Sequence, residues 1–242
     1  IELLVNGVVN DEVTINIIDI GKPYRLFELP MIGAENDIVF GDTQSRQWTR
    51  RGDVKVVKDT DNIRDLVATY FDGAGDTLSF TSDEFALGYD DFCYSFWLKP
   101  IANGGTVSNR RIINYGTNTG TGAFNLYNGY DNAGPNITLY LLLNGSWVST
   151  LTPQAIKLNS DVYNHVVLAR KDNTWRLLVN GKVVLESYYV FNVTAKGIYI
   201  AGNDTNSENY RGNYFDMKLS RYTLDYWAPF IPPVITKWST QD

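Results

Sequence analysis

With Cys93 as the only cysteine in 242 residues, no intramolecular disulfide can staple this chain. Its stability must come from packing and sheet hydrogen bonds, and the lack of bridges argues against a typical secreted animal protein. Cys93 lies in Asp91-Phe92-Cys93-Tyr94-Ser95-Phe96-Trp97-Leu98, which reads as a strand, so it is expected as a small, semi-buried side chain. Histidine is equally scarce. His165 stands alone, so any histidine-based triad must use it, and one His with one Cys is too few for a structural zinc site. No run of 18 apolar residues occurs, and no long stretch carries helical spacing. Basic residues are outnumbered, 21 Lys and Arg against 27 Asp and Glu, for a net charge of -6. An acidic surface repels phosphate backbones, so nucleic acid is excluded as the expected partner. The chain starts at Ile1 without a signal-peptide pattern and is expected to be trimmed or processed.

The sequence is rich in aromatics, with 16 Tyr, 11 Phe and 6 Trp, and in Gly at 20 copies. That composition favours short strands joined by tight turns. An apolar fraction of 44% with 20% charged residues suits a globular chain able to bury a core. Ile137, Leu139, Leu141 and Leu143 alternate with Thr138, Tyr140 and Leu142, then Asn144-Gly145 leads into Ser146-Trp147. Trp175 to Val179, Asn180-Gly181 and Lys182 to Leu185 repeat the pattern. Asn-Gly between apolar runs is a strong hairpin signal, because both turn positions need positive φ. Further strands are expected at Leu66–Phe71, Thr77–Phe80, Phe92–Pro100, Arg111–Tyr115, Ala123–Tyr127, Tyr163–Arg170, Gly197–Gly202 and Tyr214–Ser220. In the last of these, Phe215, Met217 and Leu219 are expected to face the core. Many strands without intervening helices predict an antiparallel sandwich or barrel.

Residues 1–65 differ in texture. Val13 to Ile17, Tyr24 to Leu29 and Asp53 to Lys58 suggest strands, but no compact core is visible there, so the segment reads as a β-containing arm or small subdomain. It includes Arg51-Gly52-Asp53, an adhesion tripeptide that carries little weight alone. Residues 66–231 form the expected sandwich. Residues 232–242, with Pro229, Pro232 and Pro233 at or near their start, read as an extended tail.

Six pieces in order are similar to the laminin-G/concanavalin A-like family, and most similar to short laminin-G-like modules of phage and bacterial surface proteins. They are Tyr70-Phe71-Asp72-Gly73 with Asp76-Thr77-Leu78; Phe92 to Pro100; Tyr163-Asn164-His165-Val166-Val167; Leu177 to Lys182; Tyr210 to Asp216 with Leu219-Ser220; and Ala228-Pro229-Phe230. The resemblance implies an all-β, antiparallel jelly-roll sandwich. It implies less about function, because the fold hosts lectins, adhesion modules, hydrolases and structural spacers. In the resembling family a histidine at the place of His165 is structural, and calcium is often held at one rim of the sandwich.

Glycoside hydrolysis needs two carboxyls facing the scissile bond. Asp83-Glu84 and Asp90-Asp91 are adjacent and would point to opposite faces of a strand, so no catalytic residues are assigned and the chain is expected not to be an enzyme. No cofactor is expected other than calcium, for which the oxygen-rich segments around Asp204 and Asp131 are the candidates, with solvated turns as the alternative. Tyr130, Trp147 and Tyr210 are loop or turn aromatics that could stack on a sugar, and Trp147 could equally be a packing residue. The leading expectation is a structural or adhesive component of a virus particle, such as a phage tail, fibre or capsid-decorating protein, partnered by its own copies, other virion proteins or surface glycans. The alternative is a carbohydrate-binding module of a bacterial surface or secreted protein, located extracellularly or at the cell surface. A glycoside hydrolase or lyase ranks below both.

Overall fold

The computed structural model describes residues 24–59, 66–101, 110–116, 121–128, 136–147, 157–159, 162–205, 208–222 and 226–232. The strands are β1 (Tyr24–Leu29), β2 (Phe40–Gly41), β3 (Gln47–Arg51), β4 (Lys55–Asp59), β5 (Leu66–Asp72), β6 (Thr77–Thr81), β7 (Phe92–Pro100), β8 (Arg110–Tyr115) and β9 (Phe124–Asn128). They continue as β10 (Asn136–Leu143), β11 (Ser146–Trp147), β12 (Lys157–Asn159), β13 (Asn164–Lys171), β14 (Thr174–Val179), β15 (Lys182–Tyr188), β16 (Gly197–Ile200) and β17 (Arg211–Arg221). One turn of 3-10 helix, Asp83–Phe85, is the only helical element among the described residues. All strand pairs are antiparallel. The first sheet runs β15-β14-β13-β7-β17-β5-β4, with β1 also paired to β17, and the second runs β11-β10-β9-β8-β16-β6-β3-β2, with β12 on β10. This is the expected two-sheet jelly-roll sandwich.

Asn144-Gly145 and Asn180-Gly181 take positive φ and close two-residue hairpins, Leu143 opposite Ser146 and Val179 opposite Lys182. A third such hairpin, Lys171 opposite Thr174, uses Asp172-Asn173 at φ 48 and 63. Asn and Asp tolerate this left-handed region better than other side-chain-bearing residues, so glycine is not needed there. Between the sheets, Phe96, Leu139, Leu141, Leu177 and Leu219 are buried in one large core with Tyr94, Trp175 and Tyr214. Stacked Tyr115 and Phe124, 4.4 Å apart, join the second sheet to Phe92 of the first, whose ring stacks on Phe124 at 5.4 Å.

Two expectations are corrected. First, position 65 is no boundary: within 24–59, β1 and β4 belong to the first sheet, and β2 and β3 to the second. Leu26, Phe27, Leu29, Phe40, Trp48 and Val56 are part of the main core, with Phe27 edge-on to Trp48 at 5.1 Å. Each of these strands alone is too short to show a core in sequence, but each fills a gap between sheets built by distant residues. The expected strand at Val13 to Ile17 lies outside the described residues.

Second, Phe215 is buried on the opposite face from Met217 and Leu219. The β7–β17 register shifts between Phe215 and Lys218, and Asp216 has φ 51. A bulge of this kind inserts a residue and reverses the side-chain phase, so Tyr214, not Phe215, joins Met217 and Leu219 in the main core. Phe215 instead stacks on Trp97 at 5.7 Å on the sheet's outer face.

The segment 226–232 lies on the sandwich itself. Tyr226, Trp227 and Phe230 pack on Cys93, Val167, Ala169 and Leu178, the apolar outer face of the first sheet. Arg176 donates to the Trp227 carbonyl at 2.9 Å, and its guanidinium lies 4.2 Å over the Trp227 ring. The Phe230 amide donates to the Gly181 carbonyl at 3.1 Å. A Cβ at position 181 would come 1.8 Å from the Phe230 carbonyl oxygen, so the second turn residue must be glycine for docking as well as for its φ of 77.

Candidate functional site

The two outward sheet faces differ in chemistry. The outer face of the first sheet is closed. The 226–232 segment covers one half, and Ile32 and Tyr163 pack on Ala68, Trp97 and Phe215 in the other. Beside Tyr163 the Lys99 ammonium meets both Asp59 oxygens at 2.9 Å, and Asn213 donates to the same carboxylate at 3.1 Å. His165 belongs to this closed face. Its ring sits 5.0 Å from Trp97, 5.1 Å from Tyr226 and 5.5 Å from Phe230. Burial lowers its pKa to about 4, and its Nδ1 has no hydrogen-bond partner. That environment suits a packed neutral imidazole.

The outer face of the second sheet is polar. Register places Ser79, Tyr199, Asn114 and Asn125 in a row across β6, β16, β8 and β9. Arg111 donates to Asn114 Oδ1 at 2.7 Å and to Glu208 at 2.5 Å, and its guanidinium lies 4.9 Å over Tyr127. Asn114 in turn donates to the Gly116 carbonyl at 2.8 Å. These bonds satisfy the polar side chains of the face and hold them rigid.

At one end of this face lies a half-open depression of about 340 Å³, lined by Tyr199, the hydroxyls of Thr81, Thr121 and Thr194, and Lys196. Tyr199 points outward because its neighbours Ile198 and Ile200 are buried in the core, the period-two alternation of a strand. Its ring lies along the sheet over Gly197: a Cβ there would sit 3.1 Å from Tyr199 Cε2. Burial, and then the Asp204 carboxylate, raise the Tyr199 pKa, so the phenol stays protonated as a donor. An aromatic face beside several hydroxyls and an ammonium can hold a polyol. Among the described residues, the lining includes no carboxylate or imidazole.

The site residues expected from sequence scatter. Tyr210 is corrected: it is 2% exposed, its ring lies 6.1 Å from Tyr214, and it belongs to the core, so it cannot present a face to a sugar. It follows the exposed Glu208 and the buried Asn209 and itself points inward. Tyr130 and Asp131 lie outside the described residues. Trp147 sits opposite Leu142 in the β10–β11 hairpin. Asp204 bears on Tyr199 electrostatically, and its carbonyl accepts from Arg51 at 2.9 Å. Among the described residues, the carboxylates that do converge are Asp53, Asp72 and Asp76, each with an oxygen within 4.8 Å of the others. They could hold a hard cation such as calcium. Asp76 also has a protein-only role. Its oxygens accept the amides of Asp53 and Asp72 at 2.8 Å each, tying the β3–β4 turn to the end of β5. Burial lifts its pKa to about 6.

Tyr199 was within reach of sequence reasoning, since an aromatic between two isoleucines in a strand points away from the core. Thr81, Thr121, Thr194 and Lys196 were not, because they come from separate connections with no shared motif.

Comparison with solved structures finds domain 4 of AbnA, a GH43 extracellular arabinanase from Geobacillus stearothermophilus, in complex with arabinotriose. Its TM-score is 0.58 at 9% identity, over 82% of this chain and 93% of that one. The botulinum neurotoxin serotype D binding domain matches with TM-score 0.54 at 17% identity, over 81% of this chain and 48% of that one. A botulinum neurotoxin type C structure, described as entering cells through interaction with two ganglioside molecules, matches with TM-score 0.53 at 15% identity, over 81% of this chain. The chain thus spans about half the length of those neurotoxin domains. At these identities the likeness is one of fold. No curated protein matches. Residues 72–225, well over half of the sequence, match the family described as the concanavalin A-like lectin/glucanases superfamily, and the chain belongs to that family.

Proposed function

We propose that this protein is a non-catalytic glycan-binding module that uses the depression around Tyr199. The observation that carries the reading is the asymmetry of the two faces: one outer sheet face is covered by the chain's own apolar side chains, whereas the other is polar, buried at Arg111, Asn114 and Asn125, and open at its end around Tyr199, Thr81, Thr121, Thr194 and Lys196. An aromatic ring with a polar tip, placed among hydroxyls, matches the alternating apolar and hydroxyl surfaces of a sugar. The arabinotriose-bound domain and the ganglioside-dependent neurotoxin share the fold and lend support. Glycoside cleavage would need facing carboxyls, and the described residues of the lining supply none.

The setting we propose is adhesive, on a virion or on a bacterial surface or secreted protein. Attachment to other copies or to virion proteins through arms draws less support than the sequence suggested, because 24–59 and 226–232 are committed to their own sandwich. A glycan array followed by titration calorimetry tests the binding reading. The wild-type chain should bind a defined glycan without releasing reducing ends, and Tyr199→Ala should weaken binding at least about tenfold while leaving the fold intact. Binding unaffected by that substitution refutes the assigned site, and turnover refutes the non-catalytic assignment.

A further inference from the structure

The depression lies at the end of the sandwich where two segments cross between the sheets. Residues 82–91 lead from β6 to β7, and residues 189–196 lead from β15 to β16. They run side by side. The Gly88 and Val193 amides each donate to the other's carbonyl at 2.9 Å. Beneath them lies the buried Arg170, which donates to the carbonyls of Gly88 at 2.9 Å, Asp90 at 3.0 Å and Phe191 at 3.3 Å. Its guanidinium also lies 5.3 Å over the Trp175 ring and 5.4 Å over Phe92. Phe85, Leu87, Phe191 and Val193 point inward as anchors. The surface above is therefore built on fixed backbone.

Out of this surface stand large rings. Tyr89 is 61% exposed and Tyr188, at the end of β15, is 69% exposed. Tyr222, 43% exposed, is tied to the first crossover near Tyr89 by its amide, which donates to the Asp91 carbonyl at 2.8 Å. Thr194 and Lys196, on the second crossover, line the depression. The segment that walls the depression thus continues toward the tyrosines, and the extended chain from Lys196 to Val193, beside Tyr89, covers roughly 10 Å.

We infer that the site extends from the depression over the two crossovers, with Tyr89 and Tyr188 as stacking platforms for the outer residues of a linear, uncharged oligosaccharide. This rests on the glycan-binding reading above and adds the length and charge of the ligand. Tyrosine supplies a broad apolar face with a hydroxyl tip at low entropic cost, which suits sugar rings. The charge assignment follows from the ion pairs. Lys196 is held by Asp83 at 2.8 Å, Arg46 by Glu84 at 2.8 Å, and Arg221 lies 3.5 Å from Asp90. These cations are already matched by carboxylates, so the surface is not poised for a sialylated or sulfated chain.

The test uses calorimetry on the full chain with ladders of uncharged linear oligosaccharides, arabinan-derived among them, and sialylated and sulfated counterparts. Tyr89→Ala and Tyr188→Ala change exposed side chains, and circular dichroism should show both folded. Each should weaken the longest bound member by roughly five- to tenfold and leave the shortest bound member unchanged. Wild-type affinity should rise with chain length and be insensitive to salt. If both variants bind the long chain as tightly as wild type while Tyr199→Ala loses it, the extension is wrong and the depression stands. Preference for charged chains, with binding that falls as salt rises, overturns the uncharged assignment. If wild type binds no member, or Tyr199→Ala is silent, the underlying reading fails and the extension fails with it.

Discussion

Arg170 donates to the Gly88 carbonyl at 2.9 Å from within the core, so a buried cation fixes the outermost surface of the sandwich. Burial lowers its pKa to about 10, which still leaves it charged at neutral pH. Arg170→Met should leave the Gly88, Asp90 and Phe191 carbonyls short of donors, at a cost of about 3–5 kcal/mol in urea unfolding. Amide exchange at Gly88 and Val193 should accelerate. Arg170→Lys should recover little, since an ammonium cannot span the separate carbonyls as a planar guanidinium does. A shift below about 1 kcal/mol for the methionine variant would show that the crossovers hold themselves.

The Lys99–Asp59 pair is buried on the outer face of the first sheet. Removing one partner strands the other charge, so Lys99→Met should cost about 3–5 kcal/mol. The double variant Lys99→Met with Asp59→Leu should lose less than the sum of the single losses. Additive losses in a double-mutant cycle would mean the two charges do not interact.

His165 predicts a pH dependence of definite sign. Its folded pKa of about 4 lies below the ordinary 6.5, so between those values the unfolded chain binds the extra proton. Stability from His165 is complete above about pH 6.5 and falls as the pH drops toward 4, by on the order of 3 kcal/mol. Asp76 acts in the opposite direction. Its folded pKa of about 6 lies above 3.8, so the folded chain takes up the proton first and gains stability as the pH falls through that window. The wild-type profile should therefore be nearly flat between pH 6.5 and 4. His165→Gln should gain stability relative to wild type on acidification, and Asp76→Asn should lose it. Parallel unfolding profiles for wild type and His165→Gln would rule out a buried neutral imidazole.

Cys93 reports on the C-terminal segment. It is buried with Val167, Ala169 and Leu178 beneath Tyr226, Trp227 and Phe230. The thiol should resist a water-soluble disulfide reagent in the native chain. Trp227→Ala combined with Phe230→Ala should raise its labelling rate by at least tenfold, through local opening rather than global unfolding. Equal rates would mean that the segment does not guard this face.

Period-two alternation made most of the sandwich legible. Leu139, Leu141 and Leu177 were placed in the core by alternation alone, and both Asn-Gly turns by their need for positive φ. Phe215 was misplaced because one bulge at Asp216 reverses the phase, and no residue type there announces it. Tyr210 was misread for a related reason. Proximity to a polar turn says nothing about which way the next side chain points. The site was less legible than the fold, since Thr81, Thr121, Thr194 and Lys196 meet only after strands far apart in sequence have paired.

The sequence by itself determined the fold class, the principal hairpins and the lack of an intramolecular disulfide. These depend on local periodicity, turn stereochemistry and residue counts, which need no knowledge of distant partners. Tertiary structure alone decided that residues 24–59 complete both sheets, that Tyr226, Trp227 and Phe230 close one outer face, and that Tyr199 opens on the other. A short apolar strand carries no mark of the sheet that will accept it. That choice is made by the gaps and unpaired edges that distant strands leave behind.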